Sequence, residues 1–244
     1  MNQNLPDREP VFHGRRRGRP LRAGRAGLLQ TLLPRLTIAR PEPGTALAPL
    51  GLFEPPVSDV WLEVGFGGGE HLAAQADAHR DVGFIGCEPF INGVGGLLSQ
   101  IERQGLTNVR IYADDARPLI DALPDASLGR AFVLFGDPWP KRRHQERRFI
   151  GPANLARLAR VLKPGAELRL ASDEPGLIRW MLEHTWSHPA FEWLARQAGD
   201  WRTRPADWPP TRYELKALAA GRRPVFLRFR RRPHPPTIFD HTEK

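Results

Sequence analysis

Residues 60–69 constrain the fold more than any other part of the 244-residue sequence. Residues 60–64 (V-W-L-E-V) are apolar enough for a buried strand, and a glycine-rich turn with the pattern E-x-G-x-G-x-G overlaps their end. Glycines permit a sharp turn and allow a cofactor to touch the backbone. A helix predicted over residues 70–78 completes a strand–loop–helix unit that is typical of nucleotide-binding α/β folds. The motif residues are Glu63, Gly65, Gly67 and Gly69.

The rest of the chain alternates between strand and helix patterns, and this alternation predicts an α/β fold. Strands separated by helices are expected to form a mostly parallel, Rossmann-like sheet with helices on both faces, and the last strand is expected to pair antiparallel. The predicted strands are 60–64, 82–88, 109–112, 130–135, 167–171, 191–195 and 225–231, and the predicted helices are 28–33, 70–78, 91–104, 116–122, 151–162 and 174–186.

The basic residues are clustered, and they leave the chain with a net charge of +9. Residues 8–25 contain seven arginines, residues 141–148 contain five basic residues, and residues 222–232 contain six arginines. Such clusters favour a nucleic-acid partner, although an arginine-rich genome would produce a similar net charge. Residues 1–27 are polar with little apolar periodicity, so we expect a flexible basic arm and then a single domain over residues 28–244.

Several classes of protein are disfavoured by what the sequence lacks. We find no uncharged apolar run of the roughly 18 residues that a transmembrane helix needs. The N-terminus has no apolar core like that of a signal peptide, so we expect a cytoplasmic protein that does not enter a membrane. The single cysteine, Cys87, excludes an intramolecular disulfide and a cysteine-rich zinc site. We expect neither a metal ion nor an obligate protein partner.

Acidic residues accompany the first three predicted strands and indicate the type of cofactor. Glu88 ends the second strand at the spacing of residues that bind ribose hydroxyls, and Asp114-Asp115 follow the third. The chain lacks the Gly-Lys-Ser/Thr of a phosphate-binding loop, and its G-x-G-x-G spacing differs from the dinucleotide pattern G-x-G-x-x-G. Carboxylates would repel a pyrophosphate, but they suit the hydroxyls, amine and sulfonium of S-adenosylmethionine. Glycines that serve packing alone and aspartates that only cap a helix stay open as alternatives.

A second motif, Asp137-Pro138-Trp139-Pro140-Lys141, follows the fourth predicted strand and continues into the basic run 141–148. Two prolines around a tryptophan make a stiff loop at the carboxyl edge of the sheet, where ligands bind in such folds. We therefore expect Asp137 to face the reaction site and the basic run to hold phosphates. The alternative is a rigid turn followed by a solvated basic segment.

The run D-P-W-P-K-x-R-H, with E-x-G-x-G-x-G upstream, resembles the bacterial tRNA (guanine-N7-)-methyltransferases, a family of class I S-adenosylmethionine-dependent methyltransferases. Two further parts of the sequence extend the resemblance. Residues 162–165 and 171–174 are similar to the family's segment around the fifth strand, and Thr211 to Glu214 are similar to its T-x-[FY]-E signature. The resemblance runs from about Trp61 to about Arg231.

The resemblance implies a class I methyltransferase fold, S-adenosyl-L-methionine as cofactor, and a tRNA guanine as substrate, with the variable-loop guanine at position 46 as the target. It also implies that Asp137 is catalytic. The predicted cofactor-binding residues are Glu63, Gly65, Gly67, Gly69, Glu88, Asp115 and Asp137; the predicted substrate-binding residues are Lys141, Asp173, Thr211, Arg212, Tyr213 and Glu214; and the predicted RNA contacts are Arg143, His144, Arg147 and Arg148.

Three other functions stay open at this point. Methylation of another RNA base fits the same motifs, whereas a small-molecule substrate would leave the basic clusters unexplained. An RNA-binding protein without catalysis would be expected to lose the glycine loop or Asp137, and both are intact. A nicotinamide-dependent oxidoreductase is disfavoured by the glycine spacing and by the number of acids near the loop.

Overall fold

A computed structural model describes residues 12–233, and it contains one seven-stranded sheet with helices packed on it. Short 3₁₀ helices lie at Leu50–Leu52 and Arg142–Arg147. The other elements, in chain order, are α1 (Ala23–Thr31), α2 (Leu33–Leu36), β1 (Asp59–Val64), α3 (Glu70–Ala78), β2 (Val82–Cys87), α4 (Ile91–Gln104), β3 (Val109–Tyr112), α5 (Ala116–Ala122), β4 (Leu128–Leu134), α6 (Pro152–Val161), β5 (Leu162–Ser172), α7 (Pro175–Ser187), β6 (Phe191–Trp193), α8 (Gly199–Arg202), α9 (Arg212–Ala219) and β7 (Val225–Arg231).

The sheet has the strand order β3-β2-β1-β4-β5-β7-β6. Strands β1 to β5 are parallel, and β7 inserts antiparallel between β5 and β6. The predicted fold class is confirmed, including the late antiparallel strand. Because β1 pairs with β2 on one side and β4 on the other, the chain order reverses at β1. The crevice outside the carboxyl ends of these strands is where open α/β sheets bind ligands.

The alternating side chains of the strands divide the core between the two faces of the sheet. Val60 and Leu62 of β1 join a cluster with α5, α6 and α7, whereas Trp61 joins a cluster with α3 and α4. Four fully or nearly buried side chains of α4 pack on the second face, and burial of each contributes about 1.5–3 kcal/mol. They are Val94, Leu97, Leu98 and Ile101. Within residues 12–233, no helix has the length and apolarity to cross a bilayer.

Three of the differences from the sequence-based expectation concern α1, β5 and α9. The first helix begins at Ala23 instead of near residue 28, so the predicted boundary at residue 27 falls inside α1. The fifth strand, predicted over residues 167–171, already begins at Leu162 and follows α6 without a loop. Helix α9, which carries three of the four T-R-Y-E residues, has no counterpart among the predicted elements. Its start carries the T-x-x-E pattern of a helix cap, which was interpreted only as a family signature.

The segment before α1 runs along the start of α4. Asn92 accepts a hydrogen bond from the backbone N–H of Gly18 at 2.8 Å and donates one to the carbonyl of Arg19 at 2.7 Å. The carbonyl of Arg16 accepts a hydrogen bond from the N–H of Ile91 at 3.0 Å. The guanidinium of Arg16 pairs with Asp114 at 2.8 Å. Residues 1–11 of the predicted arm lie outside the described residues, and the flexibility of the arm stays a prediction.

The third basic cluster, residues 222–232, is largely engaged within the protein. Arg228 pairs with Glu167 at 2.7 Å, and Arg231 and Arg232 donate to backbone carbonyls of the neighbouring elements. Arg222 pairs with Asp173 at 2.5 Å. A sequence count of arginines therefore overstates the charge that this cluster offers to a polyanion.

Candidate active site

The glycine-rich loop joins β1 to α3 at the carboxyl edge of the sheet. Gly65 and Gly67 have φ values of +73° and +57°, a region that glycine enters without steric cost. Glu88, at the end of β2, accepts hydrogen bonds from the backbone N–H of Gly67 at 2.7 Å and of Phe90 at 2.9 Å. Burial raises the pKa of Glu88, the two N–H groups partly oppose this rise, and the charge of Asp137 adds to it. The loop and the Glu88 carboxylate therefore form one rigid unit.

Two glycines of α4 allow this helix to lie against the loop, and the sequence analysis did not single them out. A Cβ added to Gly93 would lie 2.1 Å from the carbonyl oxygen of Gly67. A Cβ added to Gly96 would lie 3.0 Å from that of Gly68. The signal was the run N-G-V-G-G inside a helix pattern, because glycine is unfavourable there unless close packing requires it.

Glu63 and Gly69 do not line the cavity described below. The side chain of Glu63 is buried beside α3, where its carboxylate lies 2.7 Å from Nδ1 of the buried His71. Gly69 has a φ of +79°, and a Cβ there would lie 2.6 Å from Leu97. Both residues therefore pack against the helices next to the loop. For Gly69, this agrees with the alternative that the glycines serve packing alone.

Asp115 follows β3 and caps α5. Its carboxylate accepts a hydrogen bond from the backbone N–H of Arg117 at 3.1 Å, and it also pairs with the Arg117 guanidinium. The neighbouring Asp114 accepts from the N–H of Asp115 at 2.8 Å and pairs with Arg16. Asp115 therefore caps a helix, as the alternative interpretation predicted, and it also lines the cavity described below.

A cavity of about 720 Å³ lies at the carboxyl ends of β1, β2 and β4. An adjoining cavity of about 790 Å³ shares Asp114 and Asp115 but contains no part of the glycine loop. The predicted residues that line the first cavity are Gly65, Gly67, Glu88, Asp115, Asp137, Arg143, Arg147, Arg148 and Tyr213. Those that do not are Glu63, Gly69, Lys141, His144, Asp173, Thr211, Arg212 and Glu214.

Asp137 belongs to the D-P-W-P loop after β4, and it lines the cavity. Phe135 and Trp139, on either side of Asp137, have φ values of +52° and +41°. For residues with a Cβ this conformation costs on the order of 1–3 kcal/mol each, and it persists only where the surroundings impose it. The loop starts with a hydrogen bond from the N–H of Phe135 to the carbonyl of Ala171 at 2.7 Å. Asp137 itself is exposed to solvent at the mouth of the cavity.

The basic run after this loop offers an exposed cationic surface. Lys141, Arg143 and Arg147 are exposed, and the Arg147 guanidinium lies 5.1 Å from the ring centre of Trp139. The ring centre of His144 lies 6.0 Å from that of Trp139, and the two rings are nearly perpendicular. The pKa of His144 is lowered, first by desolvation and then by the neighbouring cations, of which Arg147 acts most strongly. His144 is therefore mainly neutral at pH 7.

Arg148 differs from the other predicted RNA contacts in its burial. The resemblance predicts an RNA contact, but the side chain is only 5% exposed. Its guanidinium donates to the carbonyls of Pro138 at 2.8 Å and Trp139 at 3.4 Å within the D-P-W-P loop. Three of its five N–H groups donate to backbone carbonyls, and the side chain is buried in the wall of the cavity.

The T-R-Y-E motif starts α9 and covers the glycine loop. A Cβ on Gly67 would lie 2.8 Å from the Tyr213 ring, so this ring rests directly on the loop. Arg212 lies 3.6 Å from Glu70 at the start of α3. Thr211 and Glu214, predicted to bind substrate, are buried instead: Thr211 caps α9 by accepting from the N–H of Glu214 at 3.1 Å. This is the first half of a capping box, and it orients the two exposed residues between them.

The segment leading into α9 is held by a charge that the sequence analysis missed. Arg169 of β5 is only 2% exposed and pairs with Asp207 at 2.7 Å. The carbonyl of Asp207 accepts from Gln75 of α3 at 2.6 Å, and Trp208 is fully buried. An arginine inside a predicted strand was the available signal, because a buried guanidinium requires a partner from another element.

Asp173 lies at the end of β5, outside the cavity. Its carboxylate is 20% exposed and pairs with Arg222 after α9. A substrate group could reach it only by competing with this arginine.

The residues in the cavity fit S-adenosylmethionine. A Cβ on Gly65 would meet no atom within 4 Å, so the backbone of this residue is open to a ligand. Three carboxylates, those of Glu88, Asp115 and Asp137, line the same cavity with apolar side chains of β1 and β4. Carboxylates accept hydrogen bonds from hydroxyl and ammonium groups and favour a nearby cation. Among residues 12–233, no cluster of three His, Cys, Asp or Glu side chains could hold a metal ion.

Comparison with known proteins agrees with this geometry. Residues 58–227 match a protein family described as "Putative methyltransferase". The chain is 57% identical over 230 residues to the tRNA (guanine-N(7)-)-methyltransferase of Rhodospirillum rubrum, covering 93% of this chain and 90% of that protein. The tRNA (guanine-N(7)-)-methyltransferase of Paramagnetospirillum magneticum is 53% identical over 232 residues, which are 95% of this chain and 97% of that protein. The fold is similar to that of the 16S rRNA methyltransferase KamB, with a TM-score of 0.50 and 16% identity over 72% of this chain and 89% of that one. The chain therefore belongs to the family of tRNA (guanine-N(7)-)-methyltransferases.

Proposed function

We propose that this protein transfers the methyl group of S-adenosylmethionine to N7 of a guanine in tRNA, and that the guanine is the variable-loop base at position 46. The observation that carries the proposal is one cavity lined by the glycine loop, Glu88, Asp115 and Asp137, with the exposed basic run at its mouth. The names of its relatives support tRNA as the substrate. Position 46 rests on the family resemblance alone.

The cofactor would be held by the loop and by two carboxylates that the fold has fixed. When bound, S-adenosylmethionine supplies an electrophilic methyl group on a positively charged sulfur. Each carboxylate oxygen of Glu88 accepts one hydrogen bond from a backbone N–H, of Gly67 or of Phe90. The second lone pair of each oxygen can accept a hydrogen bond from a ribose hydroxyl. Asp115 lies where β3 ends and would accept from the adenine amine. Direct contacts of Glu63 and Gly69 with the cofactor are not part of this proposal, because neither residue lines the cavity.

Attack by guanine N7 requires alignment more than proton transfer. N7 carries an exposed lone pair, so no base has to remove a proton first. The protein must hold N7 in line with the methyl group and sulfur, which is catalysis by orientation. As the bond from N7 to the methyl carbon forms, the carbon–sulfur bond would break, leaving a neutral thioether, and the positive charge would move from sulfur to the purine. Asp137 at the cavity mouth would stabilise this charge or accept hydrogen bonds from N1–H and the 2-amino group.

The basic run would hold the tRNA backbone beside the cavity. Arg143, Arg147 and Lys141 are exposed, and phosphate contacts from such residues position a nucleic acid without reading its sequence. Each neutralised phosphate contributes about 0.7–0.9 to the slope of log affinity against log salt concentration. We expect the reaction to take place in the cytoplasm, and we expect the purified chain to act without a protein partner.

The test is methyl transfer from labelled S-adenosylmethionine to unmodified tRNA, followed by nucleoside analysis. We expect 7-methylguanosine with the purified chain, and none with a tRNA that carries adenine at position 46. Asp137→Asn should lower kcat by about 10²-fold, as removal of one electrostatic contact to a transition state typically does. Asp77→Asn, at a carboxylate 55% exposed on α3, is the matched control and should leave kcat unchanged.

The outcomes separate the parts of the proposal. If a different methylated nucleoside is found, the assignment of the cofactor stands and the assignment of the target base is wrong. Normal turnover by Asp137→Asn with normal tRNA affinity would remove the role of Asp137. Methylation of the adenine-46 tRNA would remove the assignment of the position.

A further inference from the structure

Arg148 connects the two loops that bracket the proposed reaction site. Its Nε donates to the carbonyl of Pro138 at 2.8 Å, and Nη2 to that of Trp139 at 3.4 Å. Nη1 donates to the carbonyl of Gly176, in the first turn of α7, at 3.3 Å. The guanidinium also lies 5.2 Å from the ring centre of Trp180, further along the same helix. One side chain thus joins the Asp137 loop to the segment that follows Asp173.

The Asp137 loop needs such an anchor. Pro138 and Pro140 have no N–H, so the loop cannot extend the hydrogen bonds of the sheet beyond Phe135. Its two residues with positive φ are strained, and strain of this kind persists only under external constraint. The hydrogen bond of Phe135 to Ala171 holds the loop before Asp137, and Arg148 holds it after. Asp137 therefore lies between two fixed points.

Burial of the charged Arg148 side chain gives the fold little net stability. Among the described residues, every hydrogen-bond acceptor of its guanidinium is a backbone carbonyl. Desolvation of a charge is expensive, and an apolar side chain of similar volume often gives an equally stable core. The fork of donors on a planar guanidinium, however, can reach several carbonyls in a fixed geometry, which neither an apolar side chain nor a lysine can do.

We propose that Arg148 is a positioning residue, which fixes the Asp137 carboxylate relative to the cofactor cavity and makes no contact with tRNA phosphate. This inference rests on the proposed function, since it assigns Asp137 to the reaction. Its neighbour Arg147 provides the opposite case, because Arg147 is exposed and free of the loop carbonyls. The two adjacent arginines therefore differ in role: Arg147 binds RNA and Arg148 holds the site.

The experiment compares Arg148→Met and Arg148→Lys with Arg147→Met, and uses Arg103→Met, at an exposed residue of α4, as the control. For Arg148→Met we expect kcat at saturating tRNA to fall about 10²-fold, since a displacement of about 1 Å can have this effect. Its tRNA affinity and salt slope should stay at the wild-type values. For Arg147→Met we expect the reverse, with kcat retained and the salt slope lower by about 0.7–0.9. Arg103→Met should change neither.

Hydrogen exchange of the peptide spanning residues 132–146 provides a readout that does not depend on the substrate. Both Arg148 variants should exchange faster there, and Arg103→Met should exchange like the wild type. If Arg148→Met does not fold, Arg148→Lys, which keeps the charge, carries the same test. A salt slope that falls in the Arg148 variants would overturn the inference, and so would unchanged exchange in this peptide. If the wild type forms no 7-methylguanosine, the proposed function fails while the exchange result still decides whether Arg148 orders the loop.

Discussion

Replacement of Gly93 by alanine tests whether close approach of α4 to the glycine loop is what makes the cofactor site. The added Cβ would lie 2.1 Å from the carbonyl oxygen of Gly67, and an ordinary carbon–oxygen contact is about 3.3 Å. Helix α4 or the loop must therefore move by about 1.2 Å. Neither can do so freely, because the N–H of Gly67 is bonded to Glu88 and α4 is packed by four buried side chains.

Two opposing effects set the change in stability. Alanine is favoured over glycine inside a helix by about 1 kcal/mol. Overpacking in a well-packed core costs about 1–3 kcal/mol. The net loss of unfolding free energy should thus be at most about 2 kcal/mol. The cofactor site should suffer more, because displacement of Gly67 disturbs its charge-assisted bond to Glu88. Such bonds contribute about 1.5–3 kcal/mol, so we expect cofactor affinity to fall about 10- to 100-fold.

Gly95→Ala is the matched control in the same helix. A Cβ there would lie 3.5 Å from Leu21, an ordinary contact. The helix preference should then act alone and raise the melting temperature by about 2–4 °C, with cofactor affinity unchanged. The measurements are thermal unfolding and isothermal titration with S-adenosylmethionine. Equal cofactor affinities for the Gly93 and Gly95 variants would refute the reasoning.

Two predictions concern pH. Burial raises the pKa of Glu88, and protonation removes acceptor capacity that the ribose hydroxyls would use, so cofactor affinity should be complete above this raised pKa and lost as pH falls through it. Titration from pH 8 downwards should show the loss beginning at higher pH than an ordinary glutamate with a pKa of 4.5 would give; a pH-independent affinity would contradict the role of Glu88. The pKa of His144 is lowered by desolvation and by adjacent cations, and bound phosphate should raise it again. Calorimetry in two buffers of different ionisation enthalpy should therefore detect proton uptake on tRNA binding near pH 6.5, and His144→Gln should abolish it.

Neighbours in the sequence can have different roles in the structure, and the basic run illustrates why. Arg147 and Arg148 look equivalent in a cluster of five basic residues. The chain there forms a 3₁₀ helix at Arg142–Arg147, too short for its periodicity to distinguish an inner from an outer side. Which arginine turns inward depends on the carbonyls of Pro138 and Trp139, and these are presented by a loop whose conformation is imposed from outside.

Long-range pairs account for most of what sequence reasoning missed at the site. Glu63 has the position of a cofactor ligand in the motif, yet its carboxylate meets His71 across the strand–helix junction. Thr211 and Glu214 form a helix cap that presents Tyr213 to the loop, and Asp207 is held by Arg169. The Glu63–His71 and Arg169–Asp207 contacts have no local signature, because each joins side chains from distant parts of the chain. The Thr211–Glu214 cap is local, and its T-x-x-E pattern was an available signal.

Residue patterns alone were enough to predict the α/β class, the glycine loop, the family and most of the strands and helices, but not α9. These follow from local periodicity, turn chemistry and short motifs, all of which operate within about ten residues of chain. Only the folded chain shows which predicted residues share a cavity, which are buried supports, and how much of the positive charge stays free. Those properties depend on contacts between distant segments, and their energies come from burial and from partners that only the folded chain brings together.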